Sequence, residues 1–186
     1  MKLKYIPNLI TGARFILLIP LLQTLASEQY EIAFYLLIVA GLSDGLDGLL
    51  ARHYQWTSPL GAFMDPLADK LLIFVTYTCL AWLGHIPIWL LVVVIARDII
   101  IISGVLAYRL LVGEPEFNAN FLSKVNTTLQ ILLVMVILYN LAFQEVAKSW
   151  IQVLIYIVLV TTLISLVEYV WIWGWRAAKK IRGNHL

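Results

Sequence analysis

The chain has 186 residues, 62% of them hydrophobic and 13% charged, with a mean hydropathy of +0.89 and a formal net charge of +2. That is more apolar surface than one soluble core of this length could bury, so a bilayer is the expected solvent and a single membrane domain over residues 1–186 the expected unit. The few charges are scattered, which leaves no basic stripe for nucleic acid, and the lone Cys79 excludes an intramolecular disulfide framework and any cysteine-rich zinc site.

The opening MKLKYIPNLITGARFILLIPLL sets basic residues before an apolar stretch, as a secretory signal would. No small-residue cleavage site follows and Arg14 interrupts the stretch, so it reads as a retained first span; no Arg- and Ser-rich transit leader is expected either. A span needs about 20 largely apolar residues, and six segments qualify: 8–26, 31–52, 65–84, 87–111, 122–143 and 149–173. Between them lie SEQY, HYQWTSPLG, GHIP, VGEPEFNAN and QEVAKS, clusters of turn formers and helix breakers. The expected fold is therefore an all-α integral membrane protein, a six-transmembrane-helix bundle. Lys2, Lys4, Arg14, Arg52, Arg109, Lys124 and the tail residues Arg176, Lys179, Lys180 and Arg182 fall on one side, against Lys148 on the other. The positive-inside rule then places both termini in the cytoplasm, with Trp171, Trp173 and Trp175 at the interface.

All five aspartates, Asp44, Asp47, Asp65, Asp69 and Asp98, lie in or at the ends of apolar spans. A carboxylate near the middle of a bilayer helix costs about 2.5–3.5 kcal/mol, so its repeated use calls for a cationic partner. Asp44 and Asp47 are three residues apart and Asp65 and Asp69 four, so each pair shares one helix face. Asp44, Gly45, Asp47, Gly48, Ala51 and Arg52 fill an arc of about 160°. A short connection makes spans two and three antiparallel neighbours, and four carboxylates converge at the cytoplasmic end. All-oxygen ligation without histidine or cysteine suits Mg²⁺ or Mn²⁺, and two such ions would clamp a diphosphate. Gly45 and Gly48 let a bulky ligand approach the backbone, and Arg52 offers a fork for phosphate oxygens. A divalent-cation transporter would use the same carboxylates, but it would carry acidic groups through the membrane depth rather than at one end.

Residues 44–69, DGLDGLLARHYQWTSPLGAFMDPLAD, resemble the signature D-x2-D-G-x2-A-R-x8-G-x3-D-x3-D of the CDP-alcohol phosphatidyltransferases, matching at Asp44, Asp47, Gly48, Ala51, Arg52, Gly61, Asp65 and Asp69. The resemblance implies transfer of a phosphatidyl group from CDP-diacylglycerol to an alcohol with release of CMP. It also implies metal ligation by Asp44, Asp47 and Asp65, with Asp69 completing the metal site and acting as general base. Gly45, Gly48, Arg52 and Gly61 would contact the CDP moiety, in a homodimer of a bacterial inner membrane with its site facing the cytoplasm. IPNLITGAR and DPLADKLL are similar to the branch holding phosphatidylglycerophosphate synthases and CMP-forming cardiolipin synthases. The bacterial glycerophosphate enzymes usually show A-R-E and G-K-x-K-T where this chain has Ala96-Arg97-Asp98 and Ser123-Lys124-Val125-Asn126-Thr127. Loss of the second lysine suits phosphatidylglycerol as acceptor, with glycerol 3-phosphate the alternative.

Other polar residues stay open between two roles. Asn8, Thr11 and Arg14 recur at i, i+3 and i+6, either as a capped basic helix start or near the nucleotide. Arg97, Arg109 and Lys124 contact acceptor phosphate or lipid, or serve as plain interfacial cations. Asn126 and Gln130 share a face of span five and are expected to hydrogen-bond between helices, while Glu168 is left to pair with a basic residue of another span.

Overall fold

The computed structural model describes the backbone of residues 6–54, 59–111, 113 and 121–183, and side chains at 12, 15–43, 68, 70–110, 113 and 121–173. Within them the chain forms six helices and no strand: α1 (Ile6–Ala26), α2 (Tyr30–Tyr54), α3 (Pro59–Trp82), α4 (Ile88–Leu111), α5 (Phe121–Phe143) and α6 (Lys148–Gly183). Six helices stand where six spans were expected, with two differences of extent. Helix α3 starts at Pro59 rather than near residue 65, because proline at the first helical position has its φ already set and lacks only an N–H that has no partner there. Gly61 is therefore helical, not part of a connection, and Asp65 lies in the second turn of α3 rather than at its start. Helix α6 continues past residue 173 to Gly183, since the basic tail RAAKKIR is made mostly of strong helix formers. Of the described helices, Ile88–Leu110, Phe121–Phe143 and Lys148–Trp173 are long and apolar enough to cross a membrane.

The helices sort into two compact units. One comprises Met1–His85 and Val134–Ala147, the other Ile86–Leu133 and Lys148–Leu186. In the first, α1 packs against both α2 and α3. The buried stripes are Ala33, Leu37 and Ala40 on α2 and Ile73, Tyr77 and Leu80 on α3, each at i, i+4 and i+7, with Leu21 and Leu25 on α1. Hydroxyls along these helices turn inward on their own backbone, as Thr24 does to the carbonyl of Pro20 and Thr76 to that of Leu72. The start of α2 meets the residues following α3: the Tyr30 hydroxyl and His85 Nε2 share a hydrogen bond of 2.9 Å, with the rings edge to face.

Both α1 and α3 close on the same capping pattern. After α3 the N–H groups of Gly84 and His85 donate to the carbonyls of Ala81 and Leu80, with Gly84 left-handed at φ 78°. After α1 the N–H groups of Glu28 and Gln29 do the same toward Leu25 and Thr24, but there the left-handed residue, φ 57°, is Glu28.

In the second unit α4 and α6 pack together and run parallel. Their contacts advance in step: Trp89 stacks near Tyr156, Arg97 bonds Ser165, the Tyr169 hydroxyl donates to the carbonyl of Ile101, and Tyr108 meets Trp173 edge to face. Gly104 makes the approach possible, because a Cβ there would sit 3.2 Å from a ring carbon of Tyr169.

Two outcomes follow from this packing. Gly104→Leu forces Tyr169 off its seat and is expected to cost about 1–3 kcal/mol, read as a lowered thermal midpoint in detergent, whereas Gly41→Leu, whose Cβ meets nothing within 4 Å, leaves the midpoint close to unchanged. Burial holds the His85 imidazole below its ordinary value, while the negative charge of Glu28 opposes that shift. The folded state thus favours neutral His85, so its contribution is fully present above the unfolded histidine value and is lost as pH falls below it. The midpoint of the native chain is expected to drop between about pH 7.5 and pH 5.5, and His85→Gln to lack that step.

Candidate active site

The motif positions Asp44, Asp47 and Arg52 lie on the last three turns of α2, and Gly61, Asp65 and Asp69 on the first three turns of α3. The Tyr30–His85 hydrogen bond holds the start of α2 beside the residues that follow α3, and α1 packs against both helices. At 1.5 Å per residue, Asp44 and Asp47 stand about 21 and 26 Å along α2 from Tyr30, while Asp69 and Asp65 stand about 20 and 26 Å back along α3 from Trp82. An antiparallel pairing of α2 with α3 anchored at Tyr30 and His85 would set Asp44 level with Asp69, and Asp47 level with Asp65, to within about one turn. The side chains of these four aspartates lie outside the described residues, as do those of Gly45, Gly48, Ala51, Arg52, Gly61, Asn8, Thr11 and Arg14. Among the described residues no group of three or more histidine, cysteine or carboxylate side chains is placed to hold a metal. The donor set that the two helix ends carry is all carboxylate, which suits a hard divalent cation and not zinc.

The remaining candidates belong to the second unit. Arg97, in the middle of α4, is 2% exposed and ties three helices together. Its Nη1 donates to Asp98 Oδ1 at 2.7 Å, and its Nη2 to the hydroxyls of Ser123 on α5 and Ser165 on α6, both at 2.7 Å. A charge this deep is tolerable only when paired and hydrogen-bonded, and neighbouring Asp98 supplies the counter-charge. Arg109, in the last turn of α4, and Lys124, in the first turn of α5, are exposed, so Arg97 and Lys124 face different surroundings although Ser123 is Lys124's neighbour.

Asn126 is fully buried and interhelical, in agreement with its expected face: its Oδ1 accepts from the hydroxyls of both Thr161 and Thr162 at 2.9 Å. Gln130 is fully buried on the same face of α5. The partners Ser123, Thr161, Thr162 and Ser165 were not singled out from sequence. Their signal was present in Thr162, Ser165 and Glu168, polar residues at i, i+3 and i+6 in an otherwise apolar run. Arg97→Leu strands Asp98 and is expected to lower stability by roughly 3–5 kcal/mol, and the double change Arg97→Leu with Asp98→Leu to recover most of that loss, as read by thermal unfolding in detergent.

The chain is similar to known proteins over most of its length. The chain is 32% identical to the CMP-forming cardiolipin synthase of Rattus norvegicus over 96% of this chain and 64% of that protein, and 33% identical to the human one over 88% and 60%. It therefore spans about three-fifths of the length of these relatives. It is also 32% identical to the CDP-diacylglycerol–glycerol-3-phosphate 3-phosphatidyltransferase of Bacillus subtilis, over 88% of this chain and 92% of that enzyme. The family model for CDP-alcohol phosphatidyltransferase matches residues 4–171, a stretch that takes in α2, α3 and every motif position, and the chain belongs to that family.

Proposed function

We propose that this chain is a phosphatidyltransferase of phospholipid biosynthesis that moves the phosphatidyl group of CDP-diacylglycerol to an alcohol and releases CMP, with phosphatidylglycerol as the acceptor. The observation that carries the reaction class is the complete set of motif residues, carried on the last turns of α2 and the first turns of α3. In this reading Asp44, Asp47, Asp65 and Asp69 hold one or two Mg²⁺ or Mn²⁺ ions. When bound, such ions neutralise the diphosphate and the charge that develops on departing CMP. Arg52 engages phosphate oxygens, and Gly45, Gly48 and Gly61 leave room for the nucleotide backbone. Asp69 accepts the proton of the acceptor hydroxyl. The hydroxyl oxygen bonds to the phosphorus bearing diacylglycerol, and the bond from that phosphorus to the CMP oxygen breaks with its electron pair leaving on CMP. Positioning and charge neutralisation supply most of the acceleration.

Residue 126 supports this choice of acceptor. Where the glycerophosphate enzymes usually carry a second lysine, Asn126 is neutral, fully buried and engaged by two threonine hydroxyls, so that position offers no ammonium to a phosphomonoester. The cardiolipin synthases named above point the same way. The near full-length match to the Bacillus subtilis enzyme keeps glycerol 3-phosphate as the second reading. Six spans, cytoplasmic termini, a cytoplasmic site in a bacterial inner membrane and a homodimer complete the proposal, supported by the distribution of basic residues and by the family.

Purified chain given labelled CDP-diacylglycerol, Mg²⁺ and either acceptor is expected to form cardiolipin and CMP from phosphatidylglycerol. Product only with glycerol 3-phosphate would overturn the acceptor, and no CMP release with any alcohol would overturn the class. Asp69→Asn is expected to cut turnover by at least about 10²-fold while CDP-lipid binding, read by titration, changes little.

A further inference from the structure

The second unit holds a buried polar seam that the proposed reaction does not use. Along α5 it runs through Ser123, Asn126 and Gln130, and along α6 through Thr161, Thr162, Ser165 and Glu168, with Arg97 of α4 between them. The hydrogen bonds set the order of levels. Arg97 binds Ser123 and Ser165 together, Asn126 binds Thr161 and Thr162 one turn further in, and Glu168 lies one turn from Ser165 in the other direction. At each of the three levels one buried polar atom has no hydrogen-bond partner among the described residues: Glu168 Oε2, Arg97 Nε and Asn126 Nδ2.

Three such atoms at consecutive turns, on three helices and within about 10 Å along the seam, share one cause. Each would cost about 1–3 kcal/mol if it stayed unmet, and more between apolar helices that offer no other partner. The chemistry of the three selects what can meet them. Two are N–H donors and one is a carboxylate acceptor, so the occupant must both accept and donate. The Arg97 charge is already balanced by Asp98 at 2.7 Å, which removes the pull on an anion. Arg97 is 2% exposed and Asn126 fully buried, which removes access for anything large. A small, neutral group that both donates and accepts hydrogen bonds is what remains.

We propose that water is a resident component of the α4–α5–α6 seam, accepting from Arg97 Nε–H and Asn126 Nδ2–H and donating to Glu168 Oε2, so that Glu168 is joined to the only buried arginine of this unit's described residues through water. The inference is independent of which reaction the chain performs.

The test is water-edited magic-angle-spinning NMR on the full chain, isotopically labelled and reconstituted in phosphatidylcholine vesicles, with magnetisation started on water protons. Arg97→Lys and Asn126→Ser assign the two side-chain signals by their loss. Transfer to Arg97 Nε–H and Asn126 Nδ2–H is expected to build up as fast as to exposed Gln152, and at least about threefold faster than to the amide of buried Leu133. Glu168→Leu is expected to slow transfer to Arg97 by at least about threefold, and Glu168→Gln, which keeps an oxygen acceptor, to preserve it. Build-up at both groups as slow as at Leu133 would mean a dry seam and overturn the proposal, and so would an Arg97 signal indifferent to Glu168→Leu.

Discussion

A charge enclosed by apolar helices has no solvent to turn to, and this single constraint organises the molecule. Every ionic or strongly polar group in the helix interiors must be met by the fold, by a bound ligand or by water, because the surrounding side chains and lipid tails offer nothing. Arg97 shows the first solution. One carboxylate and two hydroxyls surround its guanidinium, and those partners come from three helices, so neutralising the charge also fixes how α4, α5 and α6 meet. In an assembly where contact between apolar surfaces gives little drive for association, hydrogen bonds and close backbone approach decide the pairing. The Gly104–Tyr169 contact is the second half of that arrangement.

The aspartates of α2 and α3 show the opposite solution. In the proposed site four acidic residues on two helix ends would not satisfy one another, and their neutralisation would fall to Arg52 and to cations taken from outside. Structural and functional polar groups are thereby separated by a simple criterion. Where the partners are all on the chain, as around Arg97, the group builds the fold; the proposed site is the case in which charge of one sign would call for a ligand.

Much of this was legible in the sequence, for reasons specific to membrane proteins. Apolar runs of about 20 residues identify helices almost irrespective of packing, so six helices could be placed from composition and breakers alone. The aspartate motif stood out because acidic residues are costly in such runs, and fixed spacing translated directly into shared faces. What could not be read were partners and ends. Ser123 and Ser165 carry no signal of binding one arginine, since that pairing depends on how α4, α5 and α6 align. Pro59 looked like a breaker because a proline that stops one helix and a proline that opens the next are the same letter, and only context separates them. The tail's cations masked its helical propensity in the same way, being read for charge before conformation.

The two helix ends capped alike, one on Gly84 and the other on Glu28, bear on how the protein can be handled outside its native lipid. A left-handed residue with a side chain stores strain that glycine would not, of the order of 1–2 kcal/mol. This strain sits beside the Tyr30–His85 contact that holds two helices in place, at the rim of an open hollow of about 440 Å³ lined also by Gln29, Glu31 and Leu141. Residue 28 is accordingly where a stabilised form for purification is most simply sought, since the exchange alters no motif position and relaxes backbone geometry without disturbing a core contact.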